Sequence, residues 1–186
     1  MAASLQRCKS SAPWLEDYFK EFISSYNTTW RSYVYWRRRP FKGNYINIDD
    51  RGIRQTAPSG ITAAEASKTL RIFMFGGSTL WGWGARDQGT IPSLLEKALS
   101  KRNIKSEITN YAEVGYVNTQ ELIELILQLQ RGNVPDLAIF YDGVNDVYAA
   151  YQSGVAGKPQ NEWKRELEYN ISSRPNQLRR VCDRLR

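Results

Sequence analysis

The sequence contains no histidine, which removes the side chain most often used as a general base near neutral pH. Cysteine is nearly absent too. Cys8 and Cys182 sit near opposite ends of the chain, so they form neither a disulfide framework nor a metal-ligand spacing, and no metal or cofactor is expected. Long apolar runs are missing as well, and none approaches the roughly 18 residues that span a bilayer. The segment from Met1 to Asp17 is basic in character but lacks the apolar core of a secretory signal. No internal repeat and no low-complexity stretch interrupts the chain. Phosphate-loop, dinucleotide and Gly-x-Ser-x-Gly patterns are absent, and no nucleic-acid-binding motif accompanies the basic residues, so no nucleic-acid partner is expected.

What is present suits one ordinary domain with an extension: 186 residues, 41% of them apolar and 24% charged. The net charge of +7 is concentrated in two places, Arg37-Arg38-Arg39 with Lys42, and the tail from Lys164 to Arg186. The plain expectation for these runs is a solvated face, or ion-pair partners for a missing part of the protein. The alternative is contact with an anionic membrane surface through the aromatic–arginine segment, because aromatics beside arginines suit a lipid interface. Oligomeric state is not legible.

Three zones differ in character, and they divide the chain into an aromatic and basic extension with its linker (1–68) and an α/β domain (69–186). In the first zone Trp14, Leu15, Tyr18, Phe19, Phe22, Ile23 and Tyr26 recur at helical spacing. Trp30, Tyr33, Val34, Tyr35 and Trp36 then form an aromatic stripe whose expected role is packing against the domain. Tyr45 to Arg54 alternates like a short strand ending in a turn at Asp50 to Gly52, and Ala57 to Lys68 reads as a linker.

The second zone alternates strand and helix. Leu70 to Phe75 is a short apolar run ended by Gly76-Gly77, as in a buried strand of a parallel sheet, and Glu107 to Ala112 and Leu137 to Tyr141 read as the second and third strands. Between them lie a helix introduced by Thr90, with Pro92 in its first turn, and a second helix that opens on a capping-box-like Asn118 and Glu121 and stops at Gly132 and Pro135. Short connections predict right-handed crossovers and a three-layer α/β fold. From Val147 onward little reads as a buried strand. The sheet would therefore stop at three strands and leave an apolar edge on the third.

Function in open α/β sheets gathers beyond the carboxyl ends of the strands. There the chain carries Gly76-Gly77-Ser78-Thr79, then Glu113-Val114-Gly115-Tyr116, then Asp142-Gly143-Val144-Asn145-Asp146. A serine on a tight glycine turn is lifted clear of the sheet. A glycine after the second strand lets a backbone N–H approach closely, and an asparagine after the third offers an amide donor. Two backbone donors and one amide around one serine make an oxyanion hole for acyl transfer. Asp142, Asp146 and Thr79 are expected to shape turns, and Trp81 and Trp83 either to wall the site or to pack in the core.

These three blocks resemble the SGNH hydrolases, also called GDSL esterases and lipases. Gly76-Gly77-Ser78-Thr79 is similar to the variant first block of bacterial members, and Gly143-Val144-Asn145-Asp146 matches the Gly-x-Asn-Asp block in full. The resemblance implies a flavodoxin-like three-layer fold and a serine ester hydrolase working through an acyl-enzyme. It also implies Ser78 as nucleophile, Ser78 N–H, Gly115 N–H and Asn145 as oxyanion donors, no cofactor, and an O-acyl ester of a carbohydrate or lipid as substrate. It covers about residues 70 to 152, and Asn47 to Arg54 also looks like what precedes the serine block in some bacterial members.

The family's last block, Asp-x-x-His, supplies the base, and no residue here matches its histidine. Asp183-Arg184-Leu185-Arg186 places an arginine there, which stays protonated and cannot accept a proton. A partial chain explains the missing histidine and the missing strands with one cause. The rival is a non-catalytic binding or scaffold protein of the same ancestry.

Overall fold

The computed structural model describes residues 12–57 and 69–173. Cys8, Cys182, Asp183 to Arg186 and the linker beyond residue 57 lie outside the described residues.

Helix α1 (Leu15–Ser24) opens the described chain, followed by a hairpin of β1 (Thr28–Arg31) and β2 (Tyr35–Arg38) and a second pair, β3 (Phe41–Lys42) and β4 (Asn47–Ile48). The central unit is β5 (Leu70–Gly76), the short helix α2 (Ser78–Trp81), α3 (Ile91–Ser100), β6 (Ser106–Asn110), α4 (Asn118–Gln130) and β7 (Leu137–Tyr141). Helices α5 (Val144–Ser153) and α6 (Glu162–Ser173) follow. The molecule is thus mixed α/β, with six α-helices and a three-stranded sheet of order β6-β5-β7 among the described residues. Both pairings of β5 are parallel.

Alternation along β5 divides the core. Ile72 and Met74 face one side and pack with Ile108, Leu80, Trp81, Tyr18 and Phe22, beneath Ile91, Leu95 and Leu99 of α3. Phe73 and Phe75 face the other side and pack with Tyr111, Ile53 and Leu125 of α4. The Phe75 and Tyr111 rings stack with centroids 5.4 Å apart. The helices therefore cover both faces, as a parallel sheet with apolar residues on each face requires. Thr90 caps α3 as its sequence suggests, its Oγ1 accepting the Ser93 N–H, and Pro92 occupies the first turn.

Trp30 to Trp36 forms a β-hairpin, where only a packing stripe is expected. Its turn contains no glycine, and Tyr33 and Tyr35 adopt positive φ (72° and 77°), so no turn signal marks it. The Tyr45–Arg54 run contains only the two-residue β4 and a turn. That turn is held by the Asp49 carboxylate, which accepts the N–H groups of Arg51 and Ile53, and by Gly52 at φ 81°. Arg54 then bridges both Ile48 and Asn110. The second strand ends at Asn110 rather than Ala112.

The first basic run is not a solvated face. Arg37 and Arg38 are buried, and only Arg39 of the triplet is exposed. Arg37 reaches Glu124 Oε2 at 3.3 Å, and Arg38 Nε reaches Glu113 Oε1 at 3.4 Å. These partners belong to this same chain, on α4 and on the loop after β6. The extension and the α/β unit share one core, since Tyr18, Phe22, Ile46 and Ile48 pack with Ile72 and Met74.

The apolar edge expected on the third strand is present. Leu137, Phe140 and Tyr141 are 45%, 37% and 51% exposed, and no described strand pairs with the outer side of β7. Among the described residues no helix is long and apolar enough to cross a membrane.

Candidate functional site

Strand order β6-β5-β7 places the second strand of the sheet on one side of the first and the third on the other. The connection to β6 carries α3 over one face, whereas the connection to β7 carries α4 over the other. A crevice opens beyond the carboxyl ends of β5 and β7, where the two connections diverge. A cleft of about 210 Å³ sits at that point, lined by Gly77, Ser78, Thr79, Tyr141, Gly143 and Asn145 among others. A larger groove of about 800 Å³ runs along the outer edge of β6 beneath the Asp49–Gly52 turn, and it contains none of the three motif blocks.

Ser78 is the first residue of α2 and is half-buried, with Gly77 as its extended N-cap. Helix-start N–H groups have no intrahelical acceptor, so the Ser78 N–H is open to a ligand. Both preceding glycines are sterically demanded. A Cβ on Gly76 would lie 2.5 Å from the Tyr141 carbonyl, and one on Gly77 would lie 2.4 Å from Asn145 Nδ2. The asparagine amide therefore abuts the backbone that carries the serine. Asn145 donates one N–H to the Tyr116 carbonyl (2.8 Å), which leaves its second N–H for the cleft.

Gly115 occupies the loop between the two, at φ 83°, a conformation that favours glycine. Its N–H makes no hydrogen bond among the described residues. The residues lining the cleft do not include Gly115, so Ser78 and Asn145 share the cleft and Gly115 stands beside it, one residue from the carbonyl that holds Asn145.

The loop bearing Gly115 is clamped from the extension. Trp36 Nε1–H donates to the Val114 carbonyl (3.1 Å), and the Tyr116 hydroxyl donates to the Trp36 carbonyl. Arg37 donates to the carbonyls of Tyr111 (2.8 Å) and Ala112 (3.2 Å). Glu113 accepts the Arg38 N–H (3.0 Å) and the Val114 N–H (2.8 Å). Burial pushes the Glu113 carboxyl up, against the pull of Arg37, Arg38 and these two N–H groups. Burial likewise pushes the Tyr116 phenol up, so it remains a neutral donor.

Helix α2 is clamped too. Trp81 is fully buried between two guanidinium groups, Arg38 at 4.1 Å and Arg54 at 4.3 Å from its ring. Arg54 also donates to the carbonyls of Trp81, Gly82 and Ala85 at 3.2, 2.7 and 2.6 Å, and pairs with Asp87 at 2.9 Å. The Tyr18 hydroxyl donates to Gly82 O and accepts the Gly84 N–H. Trp81 is thus core, and Trp83 leans on Phe22 (4.6 Å) at the surface; neither lines the cleft. Sequence reasoning missed these arginines as site supports, because isolated cations and distant acids carry no local pattern.

Asp142 and Asp146 shape the third loop by holding the start of α4. Asp142 Oδ2 accepts the Asn118 side-chain N–H (2.7 Å), and Asp146 Oδ1 accepts the Asn118 backbone N–H (2.9 Å). The capping box expected of Asn118 and Glu121 is displaced by one residue: Val117 is the N-cap, and its N–H donates to Gln120 Oε1 (3.3 Å). Glu121 instead turns inward beside Asp142. Burial, with Asp142 and then Asp146 adding to it, pushes the Glu121 carboxyl up to about 8. Neither the models of known protein families nor the curated proteins contain a match to this chain.

Proposed function

We propose that this chain is the amino-terminal part of an SGNH-type serine ester hydrolase acting on an O-acyl ester of a carbohydrate or lipid. The carrying observation is that Ser78 and Asn145 line one cleft at the crevice between β5 and β7, with the Asn145 amide against Gly77. In the proposed reaction Ser78 Oγ attacks the acyl carbonyl carbon, and the carbonyl π electrons move onto its oxygen. Ser78 N–H, Gly115 N–H and one Asn145 N–H stabilise that oxyanion. Collapse expels the alcohol and leaves an acyl-serine, which water then cleaves to the acid and free serine.

The hydroxyl proton needs an acceptor. No residue of this chain is a histidine, so the reaction requires an imidazole from outside these 186 residues. The second reading, a non-catalytic binding protein of the same ancestry, keeps the oxyanion pocket and lacks turnover; the missing imidazole is what favours it. Reading the coding DNA past Arg186, and assaying the product of any continuing frame on p-nitrophenyl acetate, separates the two. Hydrolysis that depends on both a downstream histidine and Ser78 is the expected result. An immediate stop codon, or a continuing frame whose product does not turn over, supports the binding protein.

A further inference from the structure

Glu121 stands out among the buried polar groups. It is fully buried in the first turn of α4, and neither of its carboxyl oxygens meets an N–H or hydroxyl donor. The titratable groups that face it are Asp142, from the loop after β7, and Asp146, from α5, and both oppose a charge on it. One of the Asp146 oxygens, Oδ2, is also buried without a donor. Ionised together, the three carboxylates would repel one another, and Glu121 would carry its charge away from solvent.

Two physical resolutions exist, a shared proton or a bound cation. The described residues contain no group of three acids, cysteines or histidines arranged to hold a metal ion, which favours the proton. Exposure decides which carboxyl carries it. Asp142 is exposed and already accepts the Asn118 amide, while Glu121 is buried with no donor on either oxygen and is the neutral member.

We propose that Glu121 is a positioning residue: its protonated carboxyl donates a hydrogen bond to Asp142 and latches the 142–146 loop, and with it Asn145, onto the first turn of α4. Asn118 supplies the other two ties of the latch, to Asp142 and to Asp146. The loop leaves β7 through Gly143 at φ 121°, so the Asp142 tie reaches Asn145 across a turn that glycine alone tolerates well. Ionisation of Glu121 places a third negative charge against the loop and loosens its hold on the amide beside Gly77. That this amide serves as an oxyanion donor rests on the proposed function; the latch itself does not.

The test follows the Asn145 side-chain amide by nitrogen-15 NMR from pH 5 to 10, together with the infrared carbonyl stretch of a protonated carboxylic acid. In the wild-type chain the protonated-acid band is expected to persist at pH 6 and to vanish with a midpoint near 8, and the Asn145 resonances to shift with the same midpoint. In E121Q, which keeps a neutral donor, the band is absent and the Asn145 resonances stay at their low-pH positions throughout. In D142N, which removes the facing charge, the midpoint falls. A merely structural Glu121 would not give Asn145 that shared pH profile. The proposal is overturned if no protonated-acid band is lost on Glu121→Gln, or if Asn145 still titrates in E121Q. It is overturned equally if calcium chloride abolishes the band at pH 6, which would make the cluster a cation site. Neither readout involves an ester. An unreactive Ser78 removes the hydrolase reading and leaves the latch, whereas a missing titration removes the latch alone.

Discussion

Replacing Arg38 with methionine tests how far the extension holds the site together. The methionine keeps an apolar stem, so the change removes the guanidinium and little packing volume. Five partners lose it at once, two of them the Phe22 and Tyr26 rings, 5.2 and 4.7 Å from the guanidinium. Glu113, 1% exposed, loses its contact at 3.4 Å. Ser25 loses a donor to its carbonyl and hydroxyl, at 3.2 and 3.3 Å. Trp81 loses one of the two cations on its ring. Breaking a buried ion pair from one side costs about 3–5 kcal/mol, and a desolvated cation–π contact about 2. The terms share one group and do not add fully, so the expected loss is about 4 kcal/mol. With a urea slope of about 2 kcal/mol per molar, the unfolding midpoint should fall by about 2 M. Tryptophan fluorescence during urea titration reads it directly. Combining R38M with E113Q should cost less than the sum of the single variants, because the uncompensated charge disappears. A midpoint within about 0.3 M of wild type, the effect of an ordinary surface change, would refute the clamp.

Three further outcomes follow from the same geometry. The 186-residue chain alone should hydrolyse p-nitrophenyl acetate at least about 10⁴-fold more slowly than a histidine-complete enzyme, since losing the base costs several orders of magnitude; robust turnover without added imidazole would contradict this. Gly77→Ala puts a Cβ 2.4 Å from Asn145 Nδ2, so it should displace that amide, shift its NMR resonances and cost about 1–3 kcal/mol by overpacking; unchanged resonances would contradict it. For Glu121, the folded-state pKa of about 8 lies above the ordinary 4.5, so the folded chain keeps a proton that the unfolded chain releases. Stability should therefore fall as pH rises from about 4.5 to 8, by about 1.4 kcal/mol per unit, and E121Q should flatten that slope and be about 3 kcal/mol more stable at pH 7; parallel pH profiles for the two proteins would contradict it.

Much of the α/β unit is legible in the sequence because its signals are local. An apolar run ended by Gly76 marks β5 and the run Leu137 to Tyr141 marks β7, each to within a residue of its bounds, and Thr90 with Pro92 marks the start of α3. Ser78 and Asn145 are legible because each follows such a run, and the structure brings them to one cleft. The rest depends on contacts between residues far apart in the chain. Arg37 and Arg38 read as surface charge until Glu124 and Glu113 are known to face them. The β1–β2 hairpin is hidden by a turn that places tyrosines where glycine or asparagine is the usual signal. Glu121 reads as a capping residue, and only the folded chain shows it buried beside Asp142.

Covalent labelling asks directly whether Ser78 is a nucleophile with Asn145 as an oxyanion donor. A fluorophosphonate mimics the tetrahedral acyl-transfer state, and added imidazole stands in for the absent base. A single adduct is expected, mapped by mass spectrometry to Ser78, with a rate that rises with imidazole concentration. That rate should fall about 10²–10³-fold in N145A, and no adduct should form in S78A. No adduct at Ser78 at any imidazole concentration, or one indifferent to N145A, would contradict the claim.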